Sequence, residues 1–204
     1  MKCAAAVEPV RAQPRESAEQ VTQALAGEPL RVEGRRGGWA RIVTAYGYPG
    51  WVREAAVEDG EGALPVAEAS SPLAAARRYL GAPYEWGGLT QAGIDCSGLV
   101  HIAYRATGRL VPRDSWQQEA AGISVASGEE RPGDLVTYGE REKADHIAFW
   151  LSAENILHAT SRHGLGVVEE PEPAELRARR RGIVSLYDPS RNSTPSSPPK
   201  EGSS

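Results

Sequence analysis

A chain of 204 residues, 40% hydrophobic and 25% charged, has the size and composition expected of a soluble globular protein with one large or two small domains. Its net charge of -4 offers no general attraction to nucleic acid or to an anionic membrane. No apolar run approaches the roughly 20 residues that cross a bilayer.

The opening MKCAAAVEPVRAQP starts like a signal peptide, but Glu8, Pro9 and Arg11 interrupt it before an apolar segment develops. A cytoplasmic location is expected if Met1 is the natural start, and a secreted or envelope location if a leader has been removed. The two cysteines, Cys3 and Cys96, are too few for a disulfide framework, although counting alone leaves a Cys3–Cys96 bridge open. Cys3 is expected to fray with the terminus.

Residues 1–60 contain short β-rich pieces (PLRVEG, WARIVTA, GWV) broken by Gly and Pro, the pattern of a small barrel. Residues 61–71 read as a linker and 72–187 as a second domain. That domain opens with a helix: Ser71 is its N-cap, Pro72 its first residue and Gly81 its stop. After the Gly-rich turn WGGLTQAGIDCSG, a second helix begins near Cys96, with Leu99, Val100, Ala103 and Tyr104 on one face, and ends at Gly108. PRDSWQQ reads as a polar loop. Five strands follow: DLVTY, HIAFWL, NILHAT, LGVVEE and GIVSLY. The basic run Arg177–Arg181 reads as a solvated helix end. Helices followed by antiparallel strands predict an α+β fold. The Ser/Pro-rich stretch 188–204 reads as a disordered tail.

Cysteine attacks as thiolate, and a free thiol has a pKa of about 8.5, lowered by a helix N-terminus or a nearby imidazolium. Cys96 lies between a Gly-rich turn and an amphipathic helix, where converging N–H groups would also hold an oxyanion. The plainer reading is a buried, inert core cysteine. His146 and His158 shift the balance, because they lie in consecutive apolar strands. An odd-numbered loop placing 146 opposite 158 puts both rings on one face, whereas a two-residue turn at Ala153–Glu154 separates them. A base held by a second polar group is what thiol activation requires. His101 and His163 read as structural. Zinc is the competing use of one Cys and two His, with Asp95 or Asp145 as fourth ligand, but no CxxC or HxxxH spacing supports it. No metal or cofactor is expected.

The ordered segments PYEWGG, GIDCSGLV, LVPRDSWQQ, RPGDLVTY, HIAFWL and ILHAT resemble the NlpC-type family of bacterial cell-wall cysteine peptidases, over Tyr79 to about Val168. The resemblance implies a papain-like α+β domain with Cys96 as nucleophile, His146 as general base and His158 orienting that base. It implies that the Tyr84 hydroxyl helps the backbone N–H of Cys96 hold the oxyanion. EQVTQALAGE, GGWARI and GYPGWV resemble a bacterial SH3 barrel. Together the two are similar to γ-D-glutamyl-L-diamino-acid endopeptidases, in which the barrel restricts the cleft to peptidoglycan stem peptides with a free N-terminal L-Ala.

On that resemblance, Asp95 and Ser97 would bind the ammonium, Arg113 and Ser115 would grip the α-carboxylate of D-Glu, and Trp86 would wall the pocket. Glu19 and Tyr46 or Tyr48 would reach in from the barrel. Two other functions compete. One is a secreted endopeptidase or amidase on intact peptidoglycan with a wall-binding barrel; the other is a non-catalytic peptide-binding module.

Overall fold

The computed structural model describes residues 1–64, 68–140 and 142–186. The expected disordered tail, 188–204, lies outside the described residues. The N-terminal strands are β1 (Lys2–Cys3), β2 (Val7–Arg11), β3 (Gln20–Leu25), β4 (Leu30–Arg36), β5 (Trp39–Thr44), β6 (Pro49–Arg53) and β7 (Val57–Glu58). Five of them form an antiparallel sheet in the order β3-β2-β6-β5-β4, and β1 pairs with β7. Period-two burial drives the curl: Ala40, Ile42 and Thr44 of β5 point inward while Arg41 points out. The β4–β5 hairpin closes through Gly37 and Gly38, whose φ values of 58° and 81° suit a two-residue turn that other side chains resist.

Cys3 departs from expectation. It is 1% exposed, packed with Val10, Ala24, Leu30 and Ile42, and held by pairing with Val57 and by its N–H donating to Glu28 O at 2.9 Å. Burial in the barrel core prevents fraying, and both cysteines are free thiols.

The second unit begins with α1 (Pro72–Arg77), capped by Ser71 Oγ accepting from the Ala74 N–H at 3.1 Å. This helix ends earlier than predicted; the chain turns at 78–80 before Gly81 reverses it at φ 82°. A hairpin of β8 (Leu89–Thr90) and β9 (Gly93–Ile94) leads into α2 (Cys96–Arg105). The segment read as a polar loop instead forms α3 (Ser115–Ala121). Gln117 Oε1 accepts the Asp114 N–H at 3.3 Å in a capping box, which offsets the weak apolar periodicity of SWQQEAA.

The remaining elements are β10 (Ile123–Ser124), β11 (Leu135–Tyr138), β12 (His146–Trp150), β13 (Asn155–Thr160), β14 (Gly166–Pro171), α4 (Ala174–Arg177) and β15 (Arg180–Ser185). They build an antiparallel sheet in the order β10-β15-β11-β12-β13-β14. Helix α2 packs on β12 and β13, burying Leu99, Val100 and Ala103 against Ile147, Phe149 and Leu157. This is the expected α+β plan. The arginine run is not a solvated helix end: it straddles α4 and β15, with Arg177 and Arg180 on Glu172, Arg179 on Asp145 and Arg181 on Glu119.

Edge strand β3 explains how the two units join, since an uncovered edge exposes unpaired polar groups. Here its side chains cross to the second unit. Gln23 Oε1 accepts from the Leu89 N–H at 2.8 Å, and Gln20 Nε2 donates to Glu85 and to the Trp86 carbonyl, both at 2.9 Å. Behind them Glu28 forms an ion pair with Arg105, their side chains 1% and 4% exposed.

Candidate active site

Cys96 is the first residue of α2, with Asp95 as N-cap accepting from the Gly98 N–H at 2.6 Å. Gly98 is required by packing: a Cβ there would lie 2.3 Å from Gly88 O, so the Gly-rich turn could not close over the helix start. The Cys96 thiol lies within reach of the backbone N–H groups of Ser97 and Ile147, the latter directly following His146. Tyr84 packs beside it, bridging to Ile94.

Strands β12 and β13 pair Phe149 with Leu157 and Trp150 with Ile156, so the connecting loop is odd-numbered. Extending that register sets His158 across from Ala148. The two histidines therefore share a face, as expected, but as diagonal rather than directly opposed neighbours. Their rings still meet, with His146 Nε2 and His158 Nδ1 2.8 Å apart. His158 Nε2 in turn lies 2.9 Å from Glu170 Oε1, and Arg162 grips both oxygens of Glu170.

Burial dominates the electrostatics. It pushes the Cys96 thiol up to about 12, with the Asp95 charge adding to it, and the N–H groups of Ile147 and Ser97 only partly offset this. Burial likewise drives His146 down to about 3, assisted by His158 and Arg179. Desolvation thus outweighs the helix N-terminus at Cys96 and favours the uncharged forms of both the thiol and the His146 imidazole. Alkylation of Cys96 by iodoacetamide should rise continuously from about pH 6 to about pH 10. A rate already level at about pH 6 would instead reveal a preformed thiolate–imidazolium pair.

A cleft of about 250 Å³ runs over Cys96 between the two units. Glu19, Tyr48, Trp86, Asp95, Ser97 and Ser115 all line it. From the barrel, Glu19 accepts from Trp86 Nε1 at 2.8 Å, and the Tyr48 hydroxyl donates to Asp114 at 3.2 Å. Tyr46 does not reach the cleft. Its ring packs 4.4 Å from His101 and its hydroxyl bonds Thr22 at 3.0 Å, so it belongs to the joint between the units. His101 is structural as expected, its Nδ1 2.8 Å from Val111 O. His163, also as expected, lies away from the cleft in a 3-10 turn at φ 52°.

Arg113 requires a larger correction. Its guanidinium meets both Asp95 oxygens (2.9 and 2.7 Å), Ser97 Oγ (2.9 Å), Thr22 Oγ1 (3.0 Å) and Gly88 O (3.3 Å). All five N–H donors are committed, leaving none for a substrate carboxylate. Asp95 is correspondingly occupied, since it also accepts from the Gly87 N–H at 2.7 Å. Arg113 and Asp95 therefore fix the nucleophile turn, and Ser97 Oγ is tied to both. Ser115 Oγ donates to Ala144 O at 3.1 Å. As a zinc ligand Asp95 is equally spent, and Asp145 is held by Arg179 at 2.6 Å.

Asp114 is a further candidate that the sequence does not single out. It lines the same cleft, half-buried, and desolvation raises its pKa against the opposing bond from Tyr48. Its position after Arg113 at a helix start was the available signal. Glu170 could not have been found, because only the β13–β14 register brings it beside His158.

Both units resemble known proteins. The NlpC/P60 family profile matches residues 81–177, and the bacterial dipeptidyl-peptidase SH3 domain profile matches residues 10–57. A γ-D-glutamyl-L-lysine dipeptidyl-peptidase of Bacillus cereus is 28% identical over 127 residues, covering 58% of this chain and 37% of that protein. The Bacillus subtilis protein of the same name is 33% identical over 84 residues, covering 40% of this chain and 28% of its own. The chain thus spans well under half the length of either relative. A crystal structure of an NlpC/P60 family protein from Bacillus cereus shares the fold, with a TM-score of 0.54 at 21% identity over 91% of this chain and 62% of that one. The chain carries an NlpC/P60 domain over residues 81–177, preceded by a bacterial SH3 domain over residues 10–57.

Proposed function

We propose that the chain is a cysteine peptidase that hydrolyses the amide between the γ-carboxyl of D-Glu and a diamino acid, in stem peptides with a free N-terminal L-Ala. Cys96 Sγ attacks the carbonyl carbon as His146 takes the thiol proton. The backbone N–H of Cys96 and the Tyr84 hydroxyl hold the oxyanion, and His158 orients His146. Protonated His146 then donates to the leaving amine, and water releases the acyl group. Such peptides arise from wall turnover, and the reaction needs no metal.

The observation that carries the substrate reading is the charge at the barrel end of the cleft. Glu19 and Asp114 line it and form no ion pair among the described residues: Glu19 accepts from the Trp86 indole and Asp114 from the Tyr48 hydroxyl. Desolvation raises the pKa of the half-buried Asp114 despite the nearby Arg113, so an ammonium ligand would offset the cost of its charge. We place the L-Ala amine there, and not on Asp95, whose charge Arg113 neutralises. Two relatives named for γ-D-glutamyl-L-lysine support the choice of bond.

L-Ala-γ-D-Glu-meso-diaminopimelate and its N-acetylated form separate this function from its rivals. Acetylation should lower kcat/KM by about 100-fold or more, because it leaves the half-buried Asp114 and the neighbouring Glu19 without their cation. Asp114→Asn should raise KM for the free amine and narrow that gap. Equal cleavage of both peptides would overturn the free-amine reading and favour a wall-acting enzyme. Cleavage of neither would favour a binding module.

A further inference from the structure

The ring nitrogens of His146 and His158 are joined end to end, and the order of donors along that line is decided at its far end. Arg162 only donates, and it holds both oxygens of Glu170. Glu170 is therefore an acceptor, and the His158 Nε2 at 2.9 Å must carry a proton. Burial keeps His158 neutral against the pull of Glu170, and Arg162 adds to that by its charge. A neutral imidazole protonated at Nε2 presents a bare Nδ1. The His146 Nε2 at 2.8 Å must then donate, which leaves the lone pair of His146 on Nδ1. That nitrogen is on the backbone side of its ring, and the Cys96 thiol lies beside the backbone N–H of the next residue, Ile147.

We propose that Glu170, held by Arg162, is a positioning residue that sets the tautomers of both histidines and so aims the lone pair of His146 at Cys96. This rests on the peptidase reading given above. Its position explains why Glu170 stands on β14: His158 pairs with Val168, and Glu170 lies two residues along on the same face. The opposite tautomers would place an N–H of His146 toward the sulfur and leave no base.

In Glu170→Gln, Arg162 keeps the amide oxygen and turns the amide NH2 toward His158. His158 then accepts at Nε2 and carries its proton on Nδ1, and His146 is forced to protonate Nδ1. The expected result is a kcat about 10- to 100-fold lower with KM within about twofold, smaller than the roughly 10⁴-fold seen where a carboxylate bonds the catalytic histidine of a serine protease directly. In Arg162→Met with Glu170→Gln, the freed amide can turn its oxygen to His158, so most of kcat should return. A structural role would show no such rescue.

Ring 15N NMR of the full chain reads the tautomers without using activity. Wild type should show His146 protonated on Nε2 with bare Nδ1, and Glu170→Gln the reverse. A wild-type His146 protonated on Nδ1 would overturn the proposal, as would Glu170→Gln with both tautomers unchanged. If Glu170→Gln fails to fold, the wild-type spectrum still decides. If the wild type cleaves no stem peptide, the peptidase reading fails while the spectra decide the tautomers.

Discussion

Replacing Cys96 with Ala is expected to lower stem-peptide hydrolysis by about 10⁴-fold or more, the scale on which nucleophile removal acts in enzymes whose catalytic groups work as a unit. The reason is chemical. Among the described residues lining the cleft, Cys96 is the single thiol, and the nearby Ser97 and Ser115 hydroxyls are bonded to Asp95 and Ala144. His146→Ala should cost a comparable factor, because a thiol pushed up to about 12 is not a nucleophile near neutral pH without a base. The double variant should be no worse than the worse single variant, since each removes the same concerted step. Chromatographic release of the diamino acid measures all three. Retention of more than about a tenth of wild-type activity by Cys96→Ala would move the nucleophile elsewhere. Loss of fold is not expected to confuse the result: Cys96→Ala removes one sulfur atom from the core edge, a small change beside a full Leu→Ala truncation.

Much of this site was legible because its signals are local. The Gly-rich turn before Cys96, the cap at Asp95 and the apolar face of α2 are all written within ten residues or so of the nucleophile. The two histidines were readable as a pair because strand alternation preserves parity across an odd loop, although the diagonal offset was not. Errors came where tertiary pairing decides. Arg113 looked like a free guanidinium because nothing in PRDS shows that Asp95, Ser97 and Thr22 converge on it. Tyr46 and Tyr48 occupy one loop and differ only in which wall of the joint each meets. Helix α3 is polar enough to pass for a loop, although its Asp114–Gln117 capping box is written in the sequence.

Breaking the buried ion pair between Glu28 and Arg105 should produce a large loss of stability. Both side chains are almost fully buried, and Glu28 already titrates high because desolvation exceeds the help from Arg105. Removing one partner strands the other charge, at a cost of about 3–5 kcal/mol. In a chain of this size each kcal/mol lowers Tm by about 2–4 °C, so Arg105→Met should melt about 6–20 °C lower. The pair itself is not a large net stabiliser, since its desolvation offsets most of its attraction. Glu28→Leu combined with Arg105→Met should therefore recover most of the loss. Function is tied to the same contact. Arg105 ends the helix that Cys96 begins, and Glu28 follows the strand that docks the barrel, so the pair ties the barrel to the nucleophile helix. Arg105→Met should accordingly narrow the preference for a free amine over an acetylated one, and the double variant should restore it. Thermal unfolding and the ratio of kcat/KM for the two peptides test the two halves separately. A single variant that melts within about 2 °C of wild type would show that the buried pair does not lock the units together.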